Sequence, residues 1–481
     1  MKYPLAQLAT KGALWTSISQ FSTQAFQFAV TVILARLLSP EDFGVVGMAG
    51  MFTGFVACFS NLGMNAAIIQ RKDVSEGHLS TAFWSNIILA IVLCLSALFL
   101  SPLIANFFHK ELVKPVISVV ALGFILGALG AIQRSLLTKR LDFKRLAIVE
   151  MGIALAYGGA AIALACMGWG VWSLVYGGIF SDVAGTLFLW VVCPWRPKLL
   201  FRYGHFKELF GFGMYVAGQS TLSYIGSNAD YLLIGRFLGP HALGVYTVAF
   251  TLMSFPQKRI SNIITKVTFP LFSAIQDDNS RLRKGYLLSV KYISVVTFPI
   301  TMGLMAAASE FIKSVYGAKW VEAILPLQIM CIAGMLRSIG TTAGTVLYAK
   351  RRARVGFFWN VLEMVVLTLA LIIGVRYGIV GVAIAVTVTT VFLEPIIQWI
   401  TNRFIELTFG EFLRALYPAS LCSVVMVCAL FLSRSVFSGI LHIPDVPLLI
   451  SSICIGAVVY LFVFTKYFKP LFHEMKGLFK P

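Results

Sequence analysis

The sequence predicts an all-α integral membrane protein with about 14 transmembrane helices, arranged as two parallel-repeat six-helix bundles followed by two further C-terminal helices. Three observations carry that prediction. The first is composition: of 481 residues 58% are hydrophobic and only 12% charged, with a mean hydropathy of +0.85, whereas soluble domains carry about 25% charged residues. The second is the alternation of span-length apolar runs with short polar connections. The third is an internal repeat at an offset of 200 residues. The net charge of +19 would suggest nucleic acid in a soluble protein; in a chain of this hydropathy it is read first as topology.

The apolar runs fall at 12–35, 43–68, 80–107, 116–137, 147–167, 171–193, 208–234, 242–271, 286–308, 323–348, 356–375, 379–401, 415–433 and 446–465. An even number of spans puts both termini on one side of the membrane. With the N-terminus placed inside, the connections on the inner side hold 25 Lys and Arg and those on the outer side hold 8, with the remaining six of the 39 inside spans. Cytoplasmic connections should hold the basic excess, and a missed or invented helix would invert the bias downstream of the error. None does. The N-terminal Met-Lys-Tyr-Pro-Leu-Ala lacks the compact apolar core and small-residue cleavage site of a signal peptide, so the first segment is expected to be retained.

The repeat aligns Arg36 with Arg236, Leu38 with Leu238, Pro40 with Pro240, Gly44 with Gly244, Val45 with Val245 and Ala49 with Ala249, without a gap. Both copies follow an outward-going segment. Six spans per repeat then give the halves the same orientation, related by a pseudo-two-fold axis along the membrane normal. The expected division is 1–200 for the N-terminal bundle, 201–405 for the C-terminal bundle, and 406–481 for two extra helices with an amphipathic basic tail. In that tail, after about residue 465, Phe468, Leu471 and Phe472 alternate with Lys466, Lys469 and Lys476, the pattern of a segment lying on an anionic leaflet. Residues 309–322 read as a similar short surface segment.

Several classes of chemistry are excluded. The eight cysteines are scattered singly through apolar segments, and the six histidines show no metal-ligand spacing. There is no P-loop, dinucleotide-binding turn or nucleophile elbow. No cofactor, metal or catalytic residue is expected.

Polar residues inside spans are the candidates that remain, because lipid cannot satisfy them. The first segment carries Gln20, Gln24 and Gln27 with Thr16, Thr23 and Thr31 at three- and four-residue spacing, which places them on one helix face. At the repeat offset the seventh segment carries Ser220, Ser223, Tyr224, Ser227 and Tyr231, and Asn61 and Asn65 lie over Ser261 and Thr265. The plain reading is interhelical hydrogen bonding, worth under about 1 kcal/mol per contact; the functional one is a cavity between the halves. Arg337 falls near the middle of a span, where a cation costs at least about 3 kcal/mol. It either faces a compensating cavity or pairs with an acid such as Asp230 to fix packing. Lys258 and Arg259 follow Pro256 in a stretch that reads as a broken helix, a recurrent feature of transporter sites. Arg134 and Lys291, near span ends, are expected to snorkel. Among the intramembrane acids, Glu150 and Asp182 recur as Glu363 and Glu394 at offsets of 213 and 212, which favours an architectural role. Asp230 faces Val30 in the repeat and is the coupling candidate.

Three stretches, Leu34-Ala-Arg-Leu-Leu-Ser-Pro-Glu-Asp-Phe-Gly, Gln133-Arg-Ser-Leu-Leu-Thr-Lys-Arg-Leu-Asp-Phe-Lys-Arg-Leu and Asn228-Ala-Asp-Tyr-Leu-Leu-Ile-Gly-Arg-Phe-Leu-Gly-Pro-His-Ala-Leu-Gly-Val-Tyr, make the chain resemble the polysaccharide transporters. These are Wzx-like lipid-linked oligosaccharide flippases of the multidrug/oligosaccharidyl-lipid/polysaccharide (MOP) superfamily, and the likeness is nearest to the colanic acid exporter branch. The resemblance covers essentially the whole chain. It implies a MOP-type fold, a bacterial inner membrane with both termini cytoplasmic, and a polyprenyl-diphosphate-linked sugar repeat unit as cargo for exopolysaccharide or lipopolysaccharide biosynthesis. It also implies membrane lipids, the polysaccharide polymerase and the export machinery as partners.

The expected function is therefore export of undecaprenyl-diphosphate-linked oligosaccharide by alternating access. Arg337, Lys258 and Arg259 would hold the diphosphate, Gln20, Gln24, Gln27, Asn61, Asn65, Ser223 and Ser227 would bond sugar hydroxyls, and Asp230 would serve coupling. A cation-coupled multidrug-type exporter of the same fold is the alternative. A polymerase or ligase of lipid-linked sugars is a third reading, which would call for a sizeable outer loop, whereas the outer connections here reach about 15 residues.

Overall fold

The computed structural model describes residues 22–60, 63–71, 73–439 and 444–469. Gln20, Asn61 and the end of the basic tail lie outside them, as does the side chain of Ser223. Among the described residues the regular structure is helical throughout, and nine helical stretches are long and apolar enough to cross a membrane. The chain is a multi-pass membrane protein.

Every apolar run of the sequence meets a helix. α1 is described over 22–37. α2 (Pro40–Ala57) begins as its sequence dictates: Ser39 Oγ accepts from the Asp42 amide at 3.3 Å, Asp42 Oδ2 accepts from the Ser39 amide at 2.9 Å, and Pro40 takes the first helical position. The expected span 43–68 is broken, because α2 ends at Ala57 and α3 (Met64–Gln70) restarts after Gly63, whose φ of 65° suits glycine. Then follow α4 (Glu76–Phe108), α5 (Val113–Val120), α6 (Leu122–Lys139), α7 (Phe143–Cys166), α8 (Val171–Val192) and α9 (Tyr203–Phe237). Next come α10 (Gly239–Pro256), a π-helical turn at Gln257–Ser261, α11 (Asn262–Ala274), α12 (Asn279–Ala306) and the short α13 (Ala308–Phe311). The chain closes with α14 (Ile324–Ala349), α15 (Ala353–Gly374), α16 (Gly378–Phe404), α17 (Phe409–Gly439) and α18 (Asp445–Tyr467).

The molecule divides into two compact units, Met1–Gly244 and Val245–Pro481. In the first, Ile68, Phe83, Ile132, Val149 and Cys193 belong to one buried cluster. In the second, Tyr286, Phe298, Ile339, Ala419 and Tyr460 do the same. Residues 309–322 are more enclosed than a surface segment: Ile312 and Trp320 are fully buried, Tyr316 nearly so, and buried Glu310 receives Arg434 Nε at 2.8 Å. Their aromatic spacing looks amphipathic in sequence but is spent on packing within the unit.

The repeat motif has a structural reason inside the first unit. A side-chain carbon on Gly44 would overlap the carbonyl oxygen of Pro240, and one on Gly244 would overlap that of Pro40. The start of α2 and the start of α10 thus cross backbone to backbone, each glycine against the other copy's proline. Ser39 caps the first copy; Gly239, at φ +82°, takes the corresponding place in the second.

Candidate functional site

The broken helix expected at Pro256 is a π-helical turn, Gln257–Ser261, inserted between α10 and α11. Proline brings no amide hydrogen to the helical ladder, and a π turn absorbs the resulting slip of register. Lys258 and Arg259 lie on that turn. The Lys258 ammonium stands 5.6 Å from the centroid of the Phe250 ring, a cation–π distance. Ser261 at its end is fully buried with an unpartnered hydroxyl.

Arg337 sits in the middle of α14, half-buried, and its Nε donates to Thr390 Oγ1 of α16 at 3.2 Å. One turn along α14 the carboxylate of Glu394 lies directly over Gly340, where a side chain would overlap it. Glu394 interacts electrostatically with both Arg337 and Glu363. α14, α15 and α16 therefore gather one guanidinium, one hydroxyl and two carboxyls inside the second unit. The Arg337 Nη atoms make no hydrogen bond among the described residues and leave a two-pronged donor for an anion.

The remaining candidates belong to the first unit. Gln24 is half-buried, while Gln27 and Ser227 are exposed. Asp230 is buried, its Oδ1 accepting from the Tyr231 amide at 2.9 Å. In the α9 stripe Tyr224 packs flush on Gly54 and its hydroxyl donates to the Met51 carbonyl at 2.9 Å. That is the plain reading for Tyr224, an interhelical bond. Asn65 Oδ1 accepts from Asn86 Nδ2 at 3.3 Å.

Sequence reasoning missed what surrounds Asn65. A cavity of about 380 Å³ within the first unit is lined by Asn65, Asn86, Arg134, Glu150, Asp182 and Thr186 among others. Arg134 forms an ion pair with Glu150. The Asp182 carboxylate rests over Gly123, 2.6 Å from where a Cβ would stand. Asn86 is fully buried, and its Oδ1 has no partner. The recurrence of Glu150/Asp182 as Glu363/Glu394 was legible, but the arginine beside one acid in each unit, Arg134 at Glu150 and Arg337 near Glu394, was not. Arg134 lies close to the C-terminal end of α6 (Leu122–Lys139), whereas Arg337 lies in the middle of α14 (Ile324–Ala349), so the two stand on different turns of their helices.

A sequence profile described as polysaccharide biosynthesis protein matches residues 33–325. The chain is 31% identical to the teichuronic acid biosynthesis protein TuaB of Bacillus subtilis over 95% of both chains. It is 29% identical to the lipopolysaccharide biosynthesis protein WzxC of Escherichia coli, over 83% of this chain and 81% of that one. Among solved structures, the lipid II flippase MurJ in its inward closed conformation superposes with a TM-score of 0.78 at 17% identity, covering 95% of this chain and all of MurJ. That likeness shows the fold, the MOP-type fold that the sequence resemblance implied. With more than half the chain matched by the profile and a relative above 30% identity along nearly its whole length, the chain belongs to the polysaccharide biosynthesis protein family.

Proposed function

We propose that the protein is an inner-membrane flippase that moves polyprenyl-diphosphate-linked oligosaccharide repeat units from the cytoplasmic to the outer leaflet by alternating access. The observation that carries the reading is Arg337: a mid-span guanidinium with one nitrogen tied to a neutral hydroxyl and its paired Nη donors uncommitted among the described residues. Such a fork suits a diphosphate, to which it can donate two parallel hydrogen bonds. Lys258 and Arg259, on the π turn, add cationic donors; Gln20, Gln24, Gln27, Asn61, Asn65, Ser223 and Ser227 supply groups for sugar hydroxyls. Asp230 is the coupling residue. Family membership supports the substrate class, as do relatives named for teichuronic acid and lipopolysaccharide biosynthesis.

In this reading the bundles 1–200 and 201–405 expose the substrate path to the two sides of the membrane in turn, and 406–481 adds two helices and a membrane-surface tail. Both termini are cytoplasmic, and the polysaccharide polymerase and export machinery act on the delivered cargo. The lipid tail stays in the bilayer while the headgroup crosses, so transport needs donors and water rather than catalytic groups. The test is uptake of labelled lipid-linked oligosaccharide into proteoliposomes with and without a proton gradient. The wild type should transport and Arg337→Ala should not; full transport by that variant would sink the phosphate-clamp assignment.

A further inference from the structure

The function above makes no use of a cluster at the start of α4. The rings of His78 and His205 stack there with centroids 3.8 Å apart and planes 19° from parallel. His78 is buried, its Nδ1 lies 2.7 Å from Ser75 Oγ in the helix cap, and its Nε2 stands 3.5 Å from Glu208 Oε2. His205 lies flat on Gly77, its Cε1 2.7 Å from where a Cβ would stand. His78 Nε2 and His205 Nδ1 are buried and without hydrogen bonds.

Around the stack, the connection from α8 to α9 is tied along the first turns of α4. Trp195 Nε1 donates to Glu76 Oε2 at 3.3 Å, the Lys198 amide to Ser80 Oγ at 3.2 Å, and the Arg202 amide to Thr81 Oγ1 at 3.1 Å. Trp84 Nε1 returns a bond to the Lys198 carbonyl at 2.9 Å. The charges facing the rings are few. Arg71 pairs with Glu208, Glu76 is engaged by Trp195, and Lys139 of α6 donates to the Ile68 and Arg71 carbonyls.

With both imidazoles neutral, Arg71 and Glu208 balance. One added proton can be shared with Glu208, but a second puts two cations face to face at van der Waals distance with a guanidinium beside them and a single carboxylate to offset all three. An imidazole in water gains its proton between about pH 5 and 8, whereas burial, the facing ring and the Arg71 guanidinium hold His78 below its ordinary value in the closed contact, so acidification favours the released, solvated state. We propose that the His78–His205 stack is a proton-sensitive clasp: it holds the connection 193–202 and the first turn of α9 against α4 when neutral and releases them when both rings are charged.

Hydrogen–deuterium exchange on the full-length protein in nanodiscs, at about pH 8 and about pH 5.5 with labelling times scaled for intrinsic chemistry, reads this directly. Amides of 195–208 should exchange about tenfold faster at the acidic pH, while those of mid-α7 stay unchanged. His205→Gln and His78→Gln should abolish the difference. His205→Phe, which keeps a stacked ring but no proton site, should be protected at both pH values and covers the case in which the glutamine variants fold poorly. Equal protection of the wild type at both pH values would overturn the proposal, as would a wild-type response in His205→Phe.

Discussion

In the first unit Arg134 closes directly onto Glu150, whereas in the second Arg337 donates to the neutral hydroxyl of Thr390 and only faces Glu394. The same ingredients, one arginine and two acids on corresponding helices, have been assembled into a satisfied ion pair and into a donor with capacity to spare. The two arginines stand on different turns of their helices, so one meets a carboxylate and the other meets a threonine. Duplication supplied the acids at matching positions. The arginines do not recur on matching turns.

The comparison breaks most sharply on transport. Arg337→Ala should lower flipping on the order of a hundredfold, the cost of about 3 kcal/mol expected when a buried charge-assisted contact is removed; Arg134→Ala should retain most of it in the same proteoliposome assay. Comparable losses in both variants would erase the distinction.

The next effects are on stability. Gly44→Ala drives a methyl into the Pro240 carbonyl, a backbone atom that cannot swing away, and should cost about 2–3 kcal/mol, read as a lower midpoint in thermal unfolding. Gly340→Ala should cost less, about 1–2 kcal/mol, because the Glu394 side chain it displaces can turn. Gly123→Ala should cost least of the three, since only one Asp182 oxygen stands in the way. An order in which Gly123→Ala exceeds Gly340→Ala would show that the first unit, not the second, holds its acid more rigidly. The smallest effect belongs to the closed ion pair. Arg134 and Glu150 are each about two-fifths exposed, so Glu150→Gln should change unfolding by under about 1 kcal/mol, and Arg134→Met with Glu150→Met should recover the wild-type midpoint.

Much of this architecture could be read from the chain in order. The bilayer demands about 20 consecutive apolar residues with every backbone group bonded internally, so spans such as Glu76–Phe108 and Asp445–Tyr467 announce themselves. The Pro256 break was visible because proline acts locally, and the Ser39–Asp42 cap because its partners are three residues apart. The break before Met64 was not visible, since the apolar run continues through it and one glycine at positive φ makes the turn. Nor was the pairing of Arg134, which looked like a cation near a span end; its partner Glu150 lies on the next helix and meets it through the packing of α6 against α7.

The sequence by itself determined the helical membrane fold, where most of its long apolar helices lie, the sequence repeat and the family, all of which depend on local hydropathy or on residues matched at fixed offsets. Only the tertiary structure decided why Pro40, Gly44, Pro240 and Gly244 recur, which arginine is closed and which still has donors to offer, and that two histidines far apart in the chain stack over Gly77. Those outcomes turn on which helix faces meet and at what height, and each depends on contacts between residues far apart in the chain.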